Sequence, residues 1–131
     1  MMEIGINEKN SLKLEDINAY KKAYRLSNRI WRIILKWGIF EKETIGKQYM
    51  RAVDSISANI AEGFGRYSKK DKIRFYRYAY GSAMESIDWN DKANQRELMK
   101  DEFHLKINTA LIDMQKEIYS LIRFTNEKLK Y

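Results

Sequence analysis

The sequence predicts an all-α fold, an antiparallel up-down-up-down four-helix bundle with left-handed packing. Three observations predict it. The 131 residues contain no proline and only 6 glycines, and chains this poor in helix breakers build long helices. Four segments carry apolar residues at alternating steps of three and four, the spacing that lays side chains along one helix face. The connections between these segments are short, which makes consecutive helices antiparallel neighbours.

Residues 1–14 read as an irregular N-terminal arm and 15–131 as one bundle domain, a size that buries roughly two-thirds of the unfolded surface. Asp16 is placed to cap the first helix. Ala19, Ala23, Leu26, Ile30, Ile33 and Trp37 form its inner stripe, with Lys21, Lys22, Arg25, Arg29, Arg32 and Lys36 mostly off it. Gly38 is expected to end that helix, and Ile39 and Phe40 to enter the core at the corner. The second helix begins near Glu43 or Thr44 and buries Ile45, Tyr49, Ala52, Ile56 and Ile60. Gly63 and Gly65 are expected to stop it, because glycine readily takes the left-handed conformation at a helix end. Ser68 followed by Asp71 opens the third helix with a capping-box pattern. Its predicted inner stripe is Phe75, Ala79, Ser82, Ser86, Trp89 and Ala93, running to about Glu97. Gly81 costs about 1 kcal/mol in mid-helix and so predicts a close backbone approach. After a turn around Leu98–Asp101, the fourth helix buries Ile107, Leu111, Met114, Ile118, Leu121 and Thr125.

Composition narrows the function classes. The absence of cysteine rules out disulfides and thiolate metal sites, and fits a reducing cytoplasm. The N-terminus lacks a basic region followed by an apolar run, so no signal peptide is expected. No uninterrupted apolar stretch approaches the ~18 residues of a membrane span. A bundle di-metal site needs Glu-x-x-His pairs, whereas the single histidine, His104, has no such partner and reads as a surface residue. Gly63-Phe64-Gly65 lacks the Gly-Lys-Ser/Thr of a phosphate loop. No nucleophile stands beside a base. No enzyme activity, metal, cofactor or small-molecule substrate is expected.

Two groups of polar residues remain. Gln48, Arg51, Ser55, Asn59 and Glu62 share one face of the second helix, and Ser82 and Glu85 lie one turn apart on the third. This polar seam runs along an apolar stripe, where an unpaired buried group costs about 1–3 kcal/mol. Its partners are the facing helix, another subunit or a ligand, and the residues alone leave those readings open. The second group is basic: Arg66, Lys69, Lys70, Lys72, Arg74 and Arg77, interleaved with Tyr67, Tyr76, Tyr78 and Tyr80. Cations neutralise phosphates and aromatics stack on bases. Residues 67–80 hold five Lys/Arg against one Asp, a net of +4, and residues 81–102 hold three against six, a net of −3.

Gln48, Arg51-Ala52, Ser55-Ile56, Asn59-Ile60-Ala61-Glu62-Gly63 and Gly65-Arg66, followed by Phe75, Ala79, Gly81-Ser82 and Glu85, carry a resemblance. They resemble the four-helix bundle protein family, also called the 23S ribosomal RNA intervening-sequence protein family. The resemblance implies an up-down helical bundle without enzymatic activity, assembled as a homo-oligomer, with a pentamer favoured. It also points to RNA or DNA as the ligand class, because distant relatives are nucleic-acid-binding accessory proteins. The expected role is therefore self-assembly with binding of structured RNA, and the alternative is a protein-interaction scaffold that binds no nucleic acid.

Overall fold

A computed structural model describes residues 12–130 of the chain. Residues 1–11 of the expected N-terminal arm lie outside the described residues. Four long helices are present: α1 (Asn18–Ile34), α2 (Lys47–Phe64), α3 (Lys69–Gln95) and α4 (Asp101–Lys128). There is no strand among the described residues, so the structure is all-α with four helices around one core. The seams between α2 and α3 and between α3 and α4 are the tightest, and that between α1 and α4 is the loosest of the ring.

α1 buries Ala19, Ala23, Leu26 and Ile30, joined by Ser27 and Ile34, while Ile33 and Trp37 flank the core. Asp16 does not cap this helix. It sits in a 3-10 turn over Leu14–Asp16 and accepts a 2.9 Å hydrogen bond from the Lys13 backbone N–H, leaving Ile17 as the N-cap. The helix ends at Ile34, ahead of Gly38. Trp37 Nε1 then donates to the Leu98 carbonyl at 3.1 Å, tying this corner to the α3–α4 turn.

Helical backbone resumes at once, with an α turn over Ile39–Glu41 and a π-helical turn over Lys42–Gly46 running into α2. This overturns the expectation that Ile39 and Phe40 enter the core: they are 76% and 74% exposed. Ile45 and Tyr49 set the inward phase of the helix, and one turn before Ile45 that phase falls on Glu41 and Lys42, past Ile39 and Phe40. Ile45, Tyr49, Ala52, Ile56 and Ile60 are all buried, as expected.

The end of α2 differs from expectation. No described glycine has a positive φ, and Gly65 sits at φ −78°. The helix does end with Gly65 as its C-cap, but in a right-handed conformation, and a side chain from the next helix caps it. Lys72 Nζ donates to the Phe64 carbonyl at 2.7 Å, satisfying an acceptor that a helix C-terminus leaves orphaned. Gly63 has a packing role: a methyl group there would lie 2.7 Å from Tyr76 Cε1 and 3.0 Å from the Lys72 carbonyl.

In α3, Ser68 accepts a 3.1 Å bond from the Asp71 N–H, which makes it the N-cap. The buried stripe is Lys72, Tyr76, Ala79, Ala83, Ser86, Asn90 and Ala93. Tyr76, Ala83 and Asn90 thus take the places predicted for Phe75, Ser82 and Trp89. Apolarity alone favours Phe75 and Trp89, but the interior here accepts Lys72 and Asn90 because their polar atoms are bonded inside. A methyl group added at Gly81 would meet no other element within 4 Å among the described residues, so the close approach expected of Gly81 belongs to Gly63. α3 stops at Gln95, and Glu97 turns the chain with φ 62°. α4 buries all six predicted positions, together with Gln115 and Ile122.

Candidate nucleic-acid interface

The polar seam is not a cross-helix network. Asn59 Nδ2 donates 2.9 Å back to the Ser55 carbonyl of its own helix, and Ser55 Oγ to the Arg51 carbonyl at 2.7 Å. Arg51 bonds Gln48 Oε1 rather than a carboxylate. Glu62 pairs with Arg66 at 2.9 Å, and Glu85 accepts from Trp89 Nε1 at 3.0 Å. Ser82 gives its carbonyl to Ser86 Oγ at 2.8 Å. Every one of these bonds is local, because the row lies on the outer edge of α2 and α3 where water competes for the same groups.

The basic patch divides in four. Lys72 is 3% exposed, and burial lowers its pKa. Its ammonium caps Phe64 and lies 5.5 Å from the Phe64 ring, so it is withdrawn from any phosphate. Arg66 and Arg74 both stack on Phe75, at 4.6 and 4.8 Å, and pair with Glu62 and Asp71. Lys69 reaches the Asn126 carbonyl at 3.2 Å. Lys70 and Arg77 are exposed and make no ion pair among the described residues. Of the four interleaved tyrosines, Tyr76 is wholly buried, with a hydroxyl that lacks a partner among the described residues.

The residues expected least carry the most polar structure. Asn90, on α3 and 0% exposed, is the centre of a network between three helices. Tyr49 on α2 donates to its Oδ1 at 2.9 Å. Asn90 Nδ2 donates to Asn108 Oδ1 at 2.8 Å and to the His104 carbonyl at 3.1 Å, both on α4. Asn108 and His104 then converge on Asp91 Oδ1 at 2.9 and 2.7 Å. These bonds, from Asn108 first and His104 second, hold the Asp91 pKa below the usual carboxylate range. Burial, reinforced by the Asp91 charge, pushes the Tyr49 hydroxyl well up. Among the described residues, no group of three or more His, Asp or Glu side chains is disposed to hold a metal. His104 is therefore a half-buried clamp rather than a plain surface residue. The sequence signal was the apolar stripe of α4, whose edge carries His104 and Asn108 one turn apart.

α1 presents three faces. Its apolar stripe is buried. Lys22, Arg25, Arg29, Arg32 and Lys36 flank that stripe on the α4 side, and Tyr24, Trp31 and Leu35 flank it on the other. No acidic residue occurs within α1. Lys22 is bridged to Asp113 and Glu117 at 2.8 and 2.7 Å, which raises its pKa, chiefly through the bond to Asp113. Arg25, Arg29, Arg32 and Lys36 are exposed and unpaired among the described residues. No helix of the described residues is long and apolar enough to cross a membrane.

Four helices around one core, with an outer surface rich in cations, make this an all-α helical-bundle protein. The chain belongs to the 23S rRNA-intervening sequence protein family, whose model matches residues 15–124. Its fold is similar to the crystal structure of a protein of unknown function from the S23 ribosomal protein family of Bacteroides thetaiotaomicron. The two share 24% identity and a TM-score of 0.72, covering 80% of this chain and 98% of that one. No curated protein matches the chain.

Proposed function

We propose that the protein is a non-enzymatic, cytoplasmic, self-associating helical bundle that binds structured RNA through its phosphates. The four helices run antiparallel, up-down-up-down, with left-handed packing. The observation that carries the RNA reading is the set of exposed cations without ion pairs among the described residues, Arg25, Arg29, Arg32, Lys36, Lys70 and Arg77, on a chain of net charge +7. Membership of a family described by an rRNA intervening sequence supports RNA as the polyanion.

Self-association is supported by two separate apolar surfaces. One is Tyr24, Trp31 and Leu35 with Ile39 and Phe40, and the other is Tyr80, Met84, Ile112 and Tyr119 across α3 and α4. The second contains an open groove of about 490 Å³ beside Gln115, whose buried Nε2 lacks a partner among the described residues. Contiguous exposed apolar surface marks interaction sites. Two different patches fit a head-to-tail contact, which makes a ring when its rotation closes and a filament when it does not, and a pentamer is the ring favoured by the family resemblance.

Fluorescence anisotropy with a labelled structured RNA, at low and physiological salt and with a DNA duplex as competitor, tests the reading. Salt-sensitive binding that survives the competitor is expected, since phosphate contacts release counterions. The same apolar surfaces favour a second reading, a protein-interaction scaffold. Absence of RNA binding even at low salt would select it.

A further inference from the structure

We infer that the α1–α4 seam is the RNA site, and that it takes a single-stranded stretch, with phosphates on the α1 cations and a base on an apolar floor. This rests on the RNA-binding reading above and moves its contact surface away from the Arg66–Arg77 patch. An open groove of about 520 Å³ lies at the end of the seam, with Arg29, Arg32, Lys36 and Lys100 on its walls. Its floor is Ile33, Trp37, Leu98, Met99 and Phe103, and among the described residues no carboxylate lines it. A second, smaller groove of about 210 Å³ continues along the same seam past Arg25 and Arg29. Asp113 borders that one, but its carboxylate already holds Lys22 at 2.8 Å. The carboxylates that open α4 are also engaged, Asp101 by Asn94 Nδ2 at 2.8 Å and Glu102 by Lys106 at 3.5 Å.

The spacing suits a strand. Arg25, Arg29 and Arg32 recur every turn of α1, with Lys36 two residues past its end, so the three arginines stand about 5 Å apart along the axis and about 10 Å from first to last. Such a row follows a backbone of regularly spaced phosphates, and arginine recognises each one with a planar fork of donors. The apolar floor adds what a duplex cannot use. Phe103 is exposed beside the cations, and unpaired bases stack on aromatic side chains while paired ones are buried in the helix. The contrast with the Arg66–Arg77 patch is direct: there Arg66 and Arg74 are already neutralised by Glu62 and Asp71, and Lys72 is buried.

The test compares two double variants of equal charge, Arg29→Gln with Arg32→Gln and Lys70→Gln with Arg77→Gln, by anisotropy with a labelled single-stranded RNA 12-mer and the matching duplex. All four residues are exposed, and thermal melts of both variants should match the parent. The groove variant should lose at least about tenfold in affinity at physiological salt. Its slope of log affinity against log salt should fall by about 1.4, the loss of two single-strand phosphate contacts. The Lys70/Arg77 variant should lose less than about threefold. Phe103→Ala should cost at least about fivefold through lost stacking. Equal losses in the two double variants, an unaltered Phe103→Ala, or equal affinity for the duplex would each overturn the site while leaving RNA binding intact. No binding of any RNA by the parent protein would overturn the site and the proposed function together.

Discussion

Tyr49 on α2 and Asn90 on α3 meet at 2.9 Å in the centre of the core, both without solvent exposure. Through the two α4 acceptors of its amide, Asn90 fixes three helices in one register. Asn90→Ala would strand the Tyr49 hydroxyl and the Asn108 amide oxygen, and an unsatisfied buried group costs about 1–3 kcal/mol. Chemical denaturation should show a loss in that range. Asn59→Ala, which removes only a bond to its own helix, should stay within about 0.5 kcal/mol.

The pH dependence of stability should carry the mark of Asp91. Its pKa is depressed in the fold, so the unfolded chain binds a proton there before the native one does. Stability is then fully present above the unfolded carboxylate value of about 3.9 and is lost as pH falls through the lower folded value. Unfolding free energies measured from pH 6 to pH 2.5 should fall more steeply for the parent than for Asp91→Asn. Parallel curves would contradict the assignment.

Two glycines should respond in opposite directions. Gly63→Ala forces a methyl against the Tyr76 ring and the Lys72 carbonyl, and overpacking of this kind costs about 1–3 kcal/mol. Gly81 has open space around it, so Gly81→Ala should add up to about 1 kcal/mol through helix propensity. Melting curves recorded on dilute protein, where assembly does not contribute, would separate the two.

The corner residues Ile39 and Phe40 should matter to assembly and not to folding. Because both stand in solvent, Ile39→Asp with Phe40→Asp should leave the melt of a dilute sample unchanged. Sedimentation velocity should show the variant as a smaller species than the parent. An unchanged sedimentation coefficient would exclude this corner from the subunit contact.

Where apolar residues dominate the inner face of a helix, that face was legible from spacing. The buried positions of α4 and α2, such as Leu111, Ile118, Ile56 and Ile60, follow the predicted stripes. α3 was misread because Lys72 and Asn90 belong inside it, and no periodicity of apolar residues announces a lysine that caps a carbonyl or an asparagine that bridges three helices. Ile39 and Phe40 failed for the converse reason: apolar residues at a corner look like core until the phase of the following helix is known. The candidate site was legible as composition and not as location. A run of cations in sequence does not reveal that Glu62 and Asp71 neutralise Arg66 and Arg74, nor that α1 carries a row of cations with few partners.

Lys72 has a consequence for chemical labelling. An amine sealed beneath the end of α2, 2.7 Å from the Phe64 carbonyl, is shielded from acylating reagents, while Lys70, two residues away in sequence, stands in the open. Its modification requires the α2–α3 corner to come apart, so its acetylation rate relative to that of Lys70 reads the free energy of that local opening. The chain thus carries, within one helical turn, both a probe of its own breathing and the reference needed to calibrate it.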